Sequence, residues 1–481
     1  MRKNLIFLIA GIAIPVFLLT QCSQPTVDVH RAEKVSIFFV NDAHGQLENF
    51  AKIKPLIDSQ KMRNPVLLVS SGDMFSGNPV VDYFQPKGYP MIDVMNRLGF
   101  DALAIGNHEF DYGEEVLIER IEQSTFPWLC ANIDTSQISL LISPYVTICA
   151  GDRNITFVGF VETGGKQGTA IPSTHPRRVE NYTFHHAEDV VGQFDELKAT
   201  TNSDLMVALS HLGFSNTESH AGDVQLALEN SLFDVIIGGH SHSRVDTVVS
   251  GVLICQAGSY LNYIGQVDVV FDDEEVKTLQ YKEVFLDTLT VHDDVLREHV
   301  DRYNMEMNTH FDEQIGCSNT DHTIGETGRF YTEAIRSELN VDLVLQNPGG
   351  VRWKVQKGAV TRRQILEIDP FNNGLVIYKL SVSNVATFLK QSNARFYYAG
   401  YQLNYSNREL QMFDEAGHQL ADTVTISLAV NDYIAAVYSH LLPRSYQEYP
   451  LKSSETIISY VRSLTQSIDF TGSSQVVFFG D

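Results

Sequence analysis

The chain has 481 residues, is 43% hydrophobic and carries a formal net charge of −24. That length supports two domains, each with its own core. The charge excludes a sequence-independent grip on nucleic-acid polymer, which needs basic surface to displace counterions from phosphates. An anionic substrate would have to be drawn in by local positive charge, such as bound metal ions or a few arginines, against the field of the whole protein.

Residues 1–22 stand apart. Arg2 and Lys3 precede an almost uncharged apolar run, 5–19, which ends in Thr20-Gln21-Cys22 and a polar stretch. This is the layout of a secretory signal. The cysteine directly after the apolar run resembles a bacterial lipoprotein signal, which implies export to the periplasm or cell surface with a lipid on Cys22. Gln21 is larger than the Gly, Ala or Ser usual there, so ordinary cleavage and a retained anchor are the alternatives. No later segment approaches the roughly 18 consecutive apolar residues of a membrane helix, so that lipid is the only membrane contact expected. The other cysteines, Cys130, Cys149, Cys255 and Cys317, match no zinc knuckle or CxxC pair. Three of them follow apolar strand-like runs, and buried free thiols are expected.

From residue 34 to about 290, short β-branched runs alternate with helical patterns: 35–40, 66–70, 102–105, 155–160, 205–210, 235–237 and 252–256. The alternation predicts an α/β domain, a buried sheet covered by helices. Within 291–320, Val295, Leu296, Val300, Tyr303 and Met307 recur at helical spacing among charges, which predicts a linker helix. Residues 321–481 then form a second, mixed α/β domain with strands at 342–346, 375–380 and 424–430. There is no internal repeat and no low-complexity tract.

Five polar clusters follow the apolar strands of the first domain. They are Asn41-Asp42-Ala43-His44-Gly45, Ser71-Gly72-Asp73-Met74, Gly106-Asn107-His108-Glu109-Phe110-Asp111, the single His211, and Gly238-Gly239-His240-Ser241-His242. Ligands bind at the carboxyl ends of strands in open α/β sheets, so the clusters are expected to converge. Imidazole, carboxylate and amide donors without thiolate suit divalent ions such as Zn, Mn or Fe. Asp42, His44, Asp73, Asn107, His211, His240 and His242 are too many for one ion and suitable for two, with Asp73 able to bridge. Two ions roughly 3.5–4 Å apart can activate a shared water and neutralise phosphoryl oxygens. His108 has a different role: Asp111, three residues on, can hold its ring protonated, ready to bind a phosphate or protonate a leaving group.

Taken together and in this order, Asp42-x-His44, Gly72-Asp73, Gly106-Asn107-His108-Glu109, His211 and Gly239-His240-Ser241-His242 resemble the signature of calcineurin-like metallophosphoesterases. The resemblance implies a four-layer αββα domain. It implies one metal on Asp42, His44, Asp73 and His242, another on Asp73, Asn107, His211 and His240, and a His108-Asp111 catalytic dyad.

In the second domain, Asn347-Pro348-Gly349-Gly350-Val351-Arg352, Gly358-x-Val360-Thr361 and Pro370-Phe371-Asn372-Asn373 resemble the C-terminal domain of 5'-nucleotidases. That family implies Asn347 and Arg352 as contacts to phosphate or ribose and Phe371 as a stacking face for the base, with Tyr433 a second such face and Asn107 also touching substrate. It further implies a second domain that swings on the segment 295–316. Two features depart from the family. The run Asp321-His322-Thr323-Ile324-Gly325 lacks an arginine usual there, although Arg329 follows, and Tyr433 lacks the usual glycine-rich turn after it. The expected function is hydrolysis of 5'-nucleotides, with nucleotide sugars or diphosphates as further substrates. The alternatives are a 2',3'-cyclic nucleotide phosphodiesterase with 3'-nucleotidase activity, a related phosphoesterase, or a ligand-capturing surface lipoprotein without turnover. No protein partner is implied. His185, His186, His220, His299 and His322 are expected to be surface or packing residues.

Overall fold

A computed structural model describes residues 33–134, 140–215, 221–272, 275–406 and 409–478. The signal segment with Cys22, and His220, lie outside the described residues.

Two sheets form the first domain. One has seven strands in the order Glu275–Phe285, Tyr263–Asp272, Lys34–Val40, Val66–Ser70, Ala102–Ala104, Trp128–Leu129 and Ile142–Ser143. The other has six, in the order Arg244–Val249, Val252–Ala257, Val235–Gly238, Leu205–His211, Arg153–Val161 and Tyr145–Ala150. The strand Lys34–Val40 shows why they pack. Val35, Ile37 and Phe39 join a core shared with Ile155, Phe157, Val207 and Ile237 of the other sheet, while Phe38 and Val40 face the helices outside. Strands apolar on both faces must be covered on both faces, and the result is four αββα layers. Every strand expected in this domain is present, and the runs ending at Val40, Ser70, Ala104, His211 and Gly238 pair in parallel within each sheet. Their carboxyl ends therefore emerge on one side.

The helix Asp294–Phe311 does not stand free between domains. Leu296, Val300, Tyr303, Met307 and Phe311 belong to the outer core of the first domain, and the Tyr303 hydroxyl donates to Asp93 at 2.9 Å. Only Asp312 and Glu313 separate it from the strand Gln314–Ser318. A swing pivoting within residues 294–311 would break these contacts.

The second domain centres on a six-stranded sheet, in the order Gln447–Glu448, Leu375–Ser381, Thr425–Asn431, Leu343–Gln346, Phe396–Gly400 and Val476–Val477. Helices Ile324–Leu339 and Ser453–Ser463 cover one face, and Val382–Ser392 covers the other. The run that lacks the family arginine has structural work instead. Thr323 and Glu326 form a capping box on Ile324–Leu339, Asp321 accepts from Lys357 N–H, and the buried His322 Nε2 accepts from Phe470 N–H at 3.0 Å.

Cys130 and Cys255 are buried free thiols, as expected, but two cysteines depart from that expectation: Cys149 is disulfide-bonded and only half-buried, and Cys317 is free and exposed because its strand lies at the surface of a two-stranded ribbon. No helix among the described residues is long and apolar enough to cross a membrane. Phe39, fully buried and stacked 5.9 Å from Tyr281, tests the inter-sheet core. Phe39→Ala is expected to lower stability by about 3–5 kcal/mol in denaturant unfolding, and a loss below about 1 kcal/mol would show that the two sheets do not depend on it.

Candidate metal centre

The five clusters meet at the strand ends. Asp73 Oδ2 lies 3.1 Å from His211 Nε2, 3.9 Å from His108 Nε2 and 4.0 Å from His44 Nε2. Asp42 Oδ1 lies 3.7 Å from His242 Nε2 and 4.0 Å from His211 Nε2. His44 Nε2 and His242 Nε2 stand 2.9 Å apart, and Asn107 Oδ1 lies 3.0 Å from His240 Nδ1. Three donor groups satisfy metal-binding spacing: Asp42 with His44 and His242, Asp73 with His211 and His240, and His44 with Asp73 and His108. Asp73 belongs to two of these groups and comes within 4.0 Å of His44 in the other, as a bridging carboxylate would.

The backbone at these strand ends is unusual. Asp42, His44, Asp73, His240 and His242 all have positive φ, between 47° and 68°. Such residues are uncommon outside glycine, and each is disfavoured by about 1–3 kcal/mol unless its surroundings fix it. Here they do. Asp42 N–H donates to Gly72 O, His44 N–H to Asp73 O and Tyr260 N–H to Asp42 O. Glu109 accepts from the N–H groups of Asp73, Met74 and Gly106. The turns crowd so closely that a Cβ on Gly106 would stand 2.3 Å from Asp73 Oδ1.

The donor set fits divalent ions on two observations. His44 Nδ1 faces Ser76 O at 3.1 Å and His211 Nδ1 faces Ser71 O at 2.7 Å. A backbone carbonyl can only accept, so each Nδ1 carries the proton and each Nε2 presents its lone pair inward, as metal-binding histidines do. His211 Nε2 is buried without a hydrogen-bond partner.

The electrostatics agree. Burial raises the Asp42 carboxyl to about 6, whereas Asp73 is held well below the usual range because His211 and His108 outweigh its burial. Burial would lower His211, but the Asp73 carboxylate overrides it and lifts the ring to about 10. A proton on His211 would compete with an ion for Nε2, and the pull that holds it is the pull a divalent cation would feel. Burial and the Arg352 guanidinium depress His44, and they depress His242 to about 3, leaving both neutral. His108 is raised, its burial outweighed by Asp73 and Asp111. Its Nδ1 donates to Asp111 Oδ2 at 2.6 Å, and Thr174 Oγ1 holds the other Asp111 oxygen at 2.8 Å.

A cavity of about 720 Å³ opens from this cluster between the domains. His108, Asp111, Asn107 and His240 line one wall; Asn347, Arg352, Phe371 and Tyr433 line the other. Arg352 Nη2 reaches across to His44 Nε2 at 2.9 Å, and the Phe371 ring lies over His108 with centroids 5.5 Å apart and planes at 21°. Every residue singled out from the sequence is thus at one site. Arg329 is not: it bonds Tyr398 O and pairs with Glu333 inside the second domain.

Sequence reasoning missed several contributors. Glu109, inside the third cluster, holds the Asp73 turn, and burial lifts it to about 7. Tyr260 packs its ring 5.2 Å from His44 and has no nearby motif. His175 and Asp432 line the cavity, and Asp432 Oδ1 is buried without a hydrogen-bond partner. Asp432 directly follows the buried strand Thr425–Asn431, and that position was the available signal. Of the other described histidines named from the sequence, His299 pairs with Asp93, His186 Nδ1 contacts Thr163 Oγ1, His322 accepts from Phe470 N–H, and His185 is exposed.

Residues 35–244 match the family model described as calcineurin-like phosphoesterase, which places the protein among the phosphoesterase hydrolases. Residues 305–438 match that of the 5'-nucleotidase C-terminal domain. A 5'-nucleotidase of Vibrio vulnificus is 26% identical over 512 residues, covering 91% of each chain. The trifunctional nucleotide phosphoesterase YfkN of Bacillus subtilis is 25% identical over 414 residues, and the match covers 74% of this chain but only 27% of that protein's length. The solved 5'-nucleotidase precursor of Thermus thermophilus has the same fold, with a TM-score of 0.78 at 20% identity over 89% of this chain and 96% of that one. The chain belongs to the 5'-nucleotidase family.

Gly106→Ala tests the crowding at the bridge. The variant is expected to fold, because the clash is local, but to lose most of its bound metal by elemental analysis. Metal content equal to the parent chain would mean that Asp73 does not need that turn.

Proposed function

We propose that the protein hydrolyses nucleoside 5'-monophosphates outside the cytoplasm, with nucleotide sugars and diphosphates as further substrates. The observation that carries this reading is the Arg352 contact with His44, which sets a phosphate-binding guanidinium of the second domain beside the metal cluster of the first. Asp42, His44, Asp73 and His242 would hold one divalent ion, and Asp73, Asn107, His211 and His240 the other. Two such ions supply a nucleophilic water at neutral pH and neutralise charge on the phosphoryl oxygens.

The chain's own groups do the rest. Arg352 has no carboxylate within 4.0 Å among the described residues, and its Nε is buried without a hydrogen-bond partner. With its Nε unpartnered and only the His44 ring on Nη2, its guanidinium would turn from His44 to take a phosphate in bidentate fashion. Asn347 lines the same wall and adds an amide. His108, kept cationic and aimed by Asp111, binds the phosphate during transfer or gives its proton to the departing ribose oxygen. Phe371 and Tyr433 offer aromatic faces to the base, and Asp432 Oδ1 offers an acceptor to a sugar hydroxyl. Phe371 now covers His108, so it must move aside for a substrate whose phosphate is to reach that ring.

The second reading, a 2',3'-cyclic phosphodiesterase with 3'-nucleotidase activity, is favoured by the Asp321–Gly325 run, where capping and packing occupy the place of the family's additional arginine. A binding lipoprotein without turnover finds no support in the intact His108–Asp111 pair. Export and a lipid on Cys22 rest on the signal segment, in keeping with the precursor named among the solved relatives.

The test is phosphate release by the chain lacking residues 1–22, on 5'-, 3'- and 2',3'-cyclic nucleotides and nucleotide sugars, with Mn, Zn or chelator. Chelator-sensitive release from 5'-monophosphates is expected. Release confined to another ester moves the function to the second reading, and no release with any metal favours the binding protein. Asp73→Ala is expected to lose metal and turnover together. His108→Ala keeps its metal but loses about 10²–10⁴-fold in kcat, and full activity there would remove the role assigned to it. For Arg352→Ala, an unchanged kcat/KM would reject the phosphate contact.

A further inference from the structure

Acidic groups outnumber basic ones 59 to 35 in this chain, so a basic side chain with no ion-pair partner needs a reason. Four such side chains ring the mouth of the interdomain cavity: Lys87, Arg177 and Arg178 from the first domain and Lys452 from the second. Among the described residues none of the four lies within 4.0 Å of a carboxylate oxygen, whereas most other arginines of both domains are paired. Their proximity to one another is repulsive, and Arg178 and Lys452 both act to push the proton off Lys87, whose burial does so more strongly. Asp82, the acid nearest in effect to Lys87, is engaged by the Tyr112 hydroxyl and Gly77 N–H.

Three of the four also touch a neighbour, whereas Lys452 is exposed. Lys87 Nζ sits 4.5 Å over the Tyr112 ring, a cation–π contact that fixes and partly desolvates it. The Arg178 guanidinium packs on the loop of Asp111, where a Cβ on Gly113 would stand 3.0 Å from Nη1. Arg177 Nη2 approaches the Tyr446 hydroxyl of the second domain at 3.5 Å. Cations gathered from two domains, repelling one another and reached by the Asp82 and Asp111 carboxylates only from beyond ion-pair distance, are stabilised further by a multivalent anion.

We propose that Lys87, Arg177, Arg178 and Lys452 form a second anion subsite, which binds a phosphate of the substrate that is not the one being cleaved. The proposal rests on the nucleotide-hydrolase reading above and narrows it: the preferred substrates carry two phosphates. The first goes to the metal cluster, His108 and Arg352, and the second to the mouth of the cavity. Because the cations come from both domains, the second phosphate also draws the mouth together. The source of that phosphate is either a 5'-diphosphate chain or a separate ester on the ribose, and one assay separates them.

That assay compares kcat/KM for adenosine 5'-monophosphate, adenosine 5'-diphosphate and adenosine 3',5'-bisphosphate, in the parent chain and in Lys87→Met, Arg178→Gln and Lys87→Arg. The expected result is a fall of about ten-fold or more in the ratio of one two-phosphate nucleotide to the monophosphate in Lys87→Met and Arg178→Gln, with the ratio kept in Lys87→Arg. The nucleotide whose ratio falls identifies the source. Ratios unchanged in both neutral variants, or all three substrates lost in equal proportion, would overturn the subsite. If the parent chain cleaves none of the three, the nucleotide-hydrolase reading fails separately, and inhibition of p-nitrophenyl phosphate hydrolysis then decides the subsite. Inhibition by a two-phosphate nucleotide at about ten-fold lower concentration than by the monophosphate, lost in Lys87→Met, supports it; equal inhibition overturns it.

Discussion

The constraint on which the rest depends is buried negative charge. Asp42 and Asp73 are at most 1% exposed, and among the described residues their ion-pair contacts are with histidines alone. Carboxylates so placed are costly unless positive charge reaches them. Histidine protons can supply some, as the elevated His211 and His108 indicate, but His44 and His242 are driven neutral beside Arg352. What remains is a cage of inward lone pairs and two acids, for which divalent cations are the fitting counter-charge. The left-handed turns, the Glu109 brace and the parallel strands behind them all serve to hold that cage open in one geometry.

The same charge logic organises the space between the domains. A chain of net charge −24 repels the anions it is built to bind. Its answer is local: Arg352 beside the metal cluster and four cations without ion-pair partners line one cavity, together with Phe371 and Tyr433. With the proposed anion subsite, selectivity among phosphate esters would depend on where a substrate carries its charges as well as on how much charge it carries.

Much of the site was legible in the sequence because its ligands end buried parallel strands. Continuous apolar runs such as 205–210 and 235–237 are strong signals, and a polar residue directly after one stands out. The division into two stacked sheets was legible only through the family resemblance, since one buried strand looks like another whichever sheet it joins. The hairpin Tyr263–Asp272 and Glu275–Phe285 escaped because its second strand is largely solvent-facing and interleaved with charge. Asp294–Phe311 was legible as a helix, but the surface that receives its apolar stripe is a tertiary fact. Glu109 was not legible for a related reason, since a carboxylate that braces a turn has no spacing to announce it, whereas Asp432 carried the strand-end signal but sits beside Tyr433, whose ring drew the reading.

The central claim is that this cage holds two ions and works through both. The most direct measurement strips the chain with chelator and titrates it with Mn or Zn, following bound metal and phosphate release together. The account predicts binding that saturates at two ions per chain, with full turnover requiring the second. Saturation at a single ion with full activity, or activity that persists without metal, would contradict it.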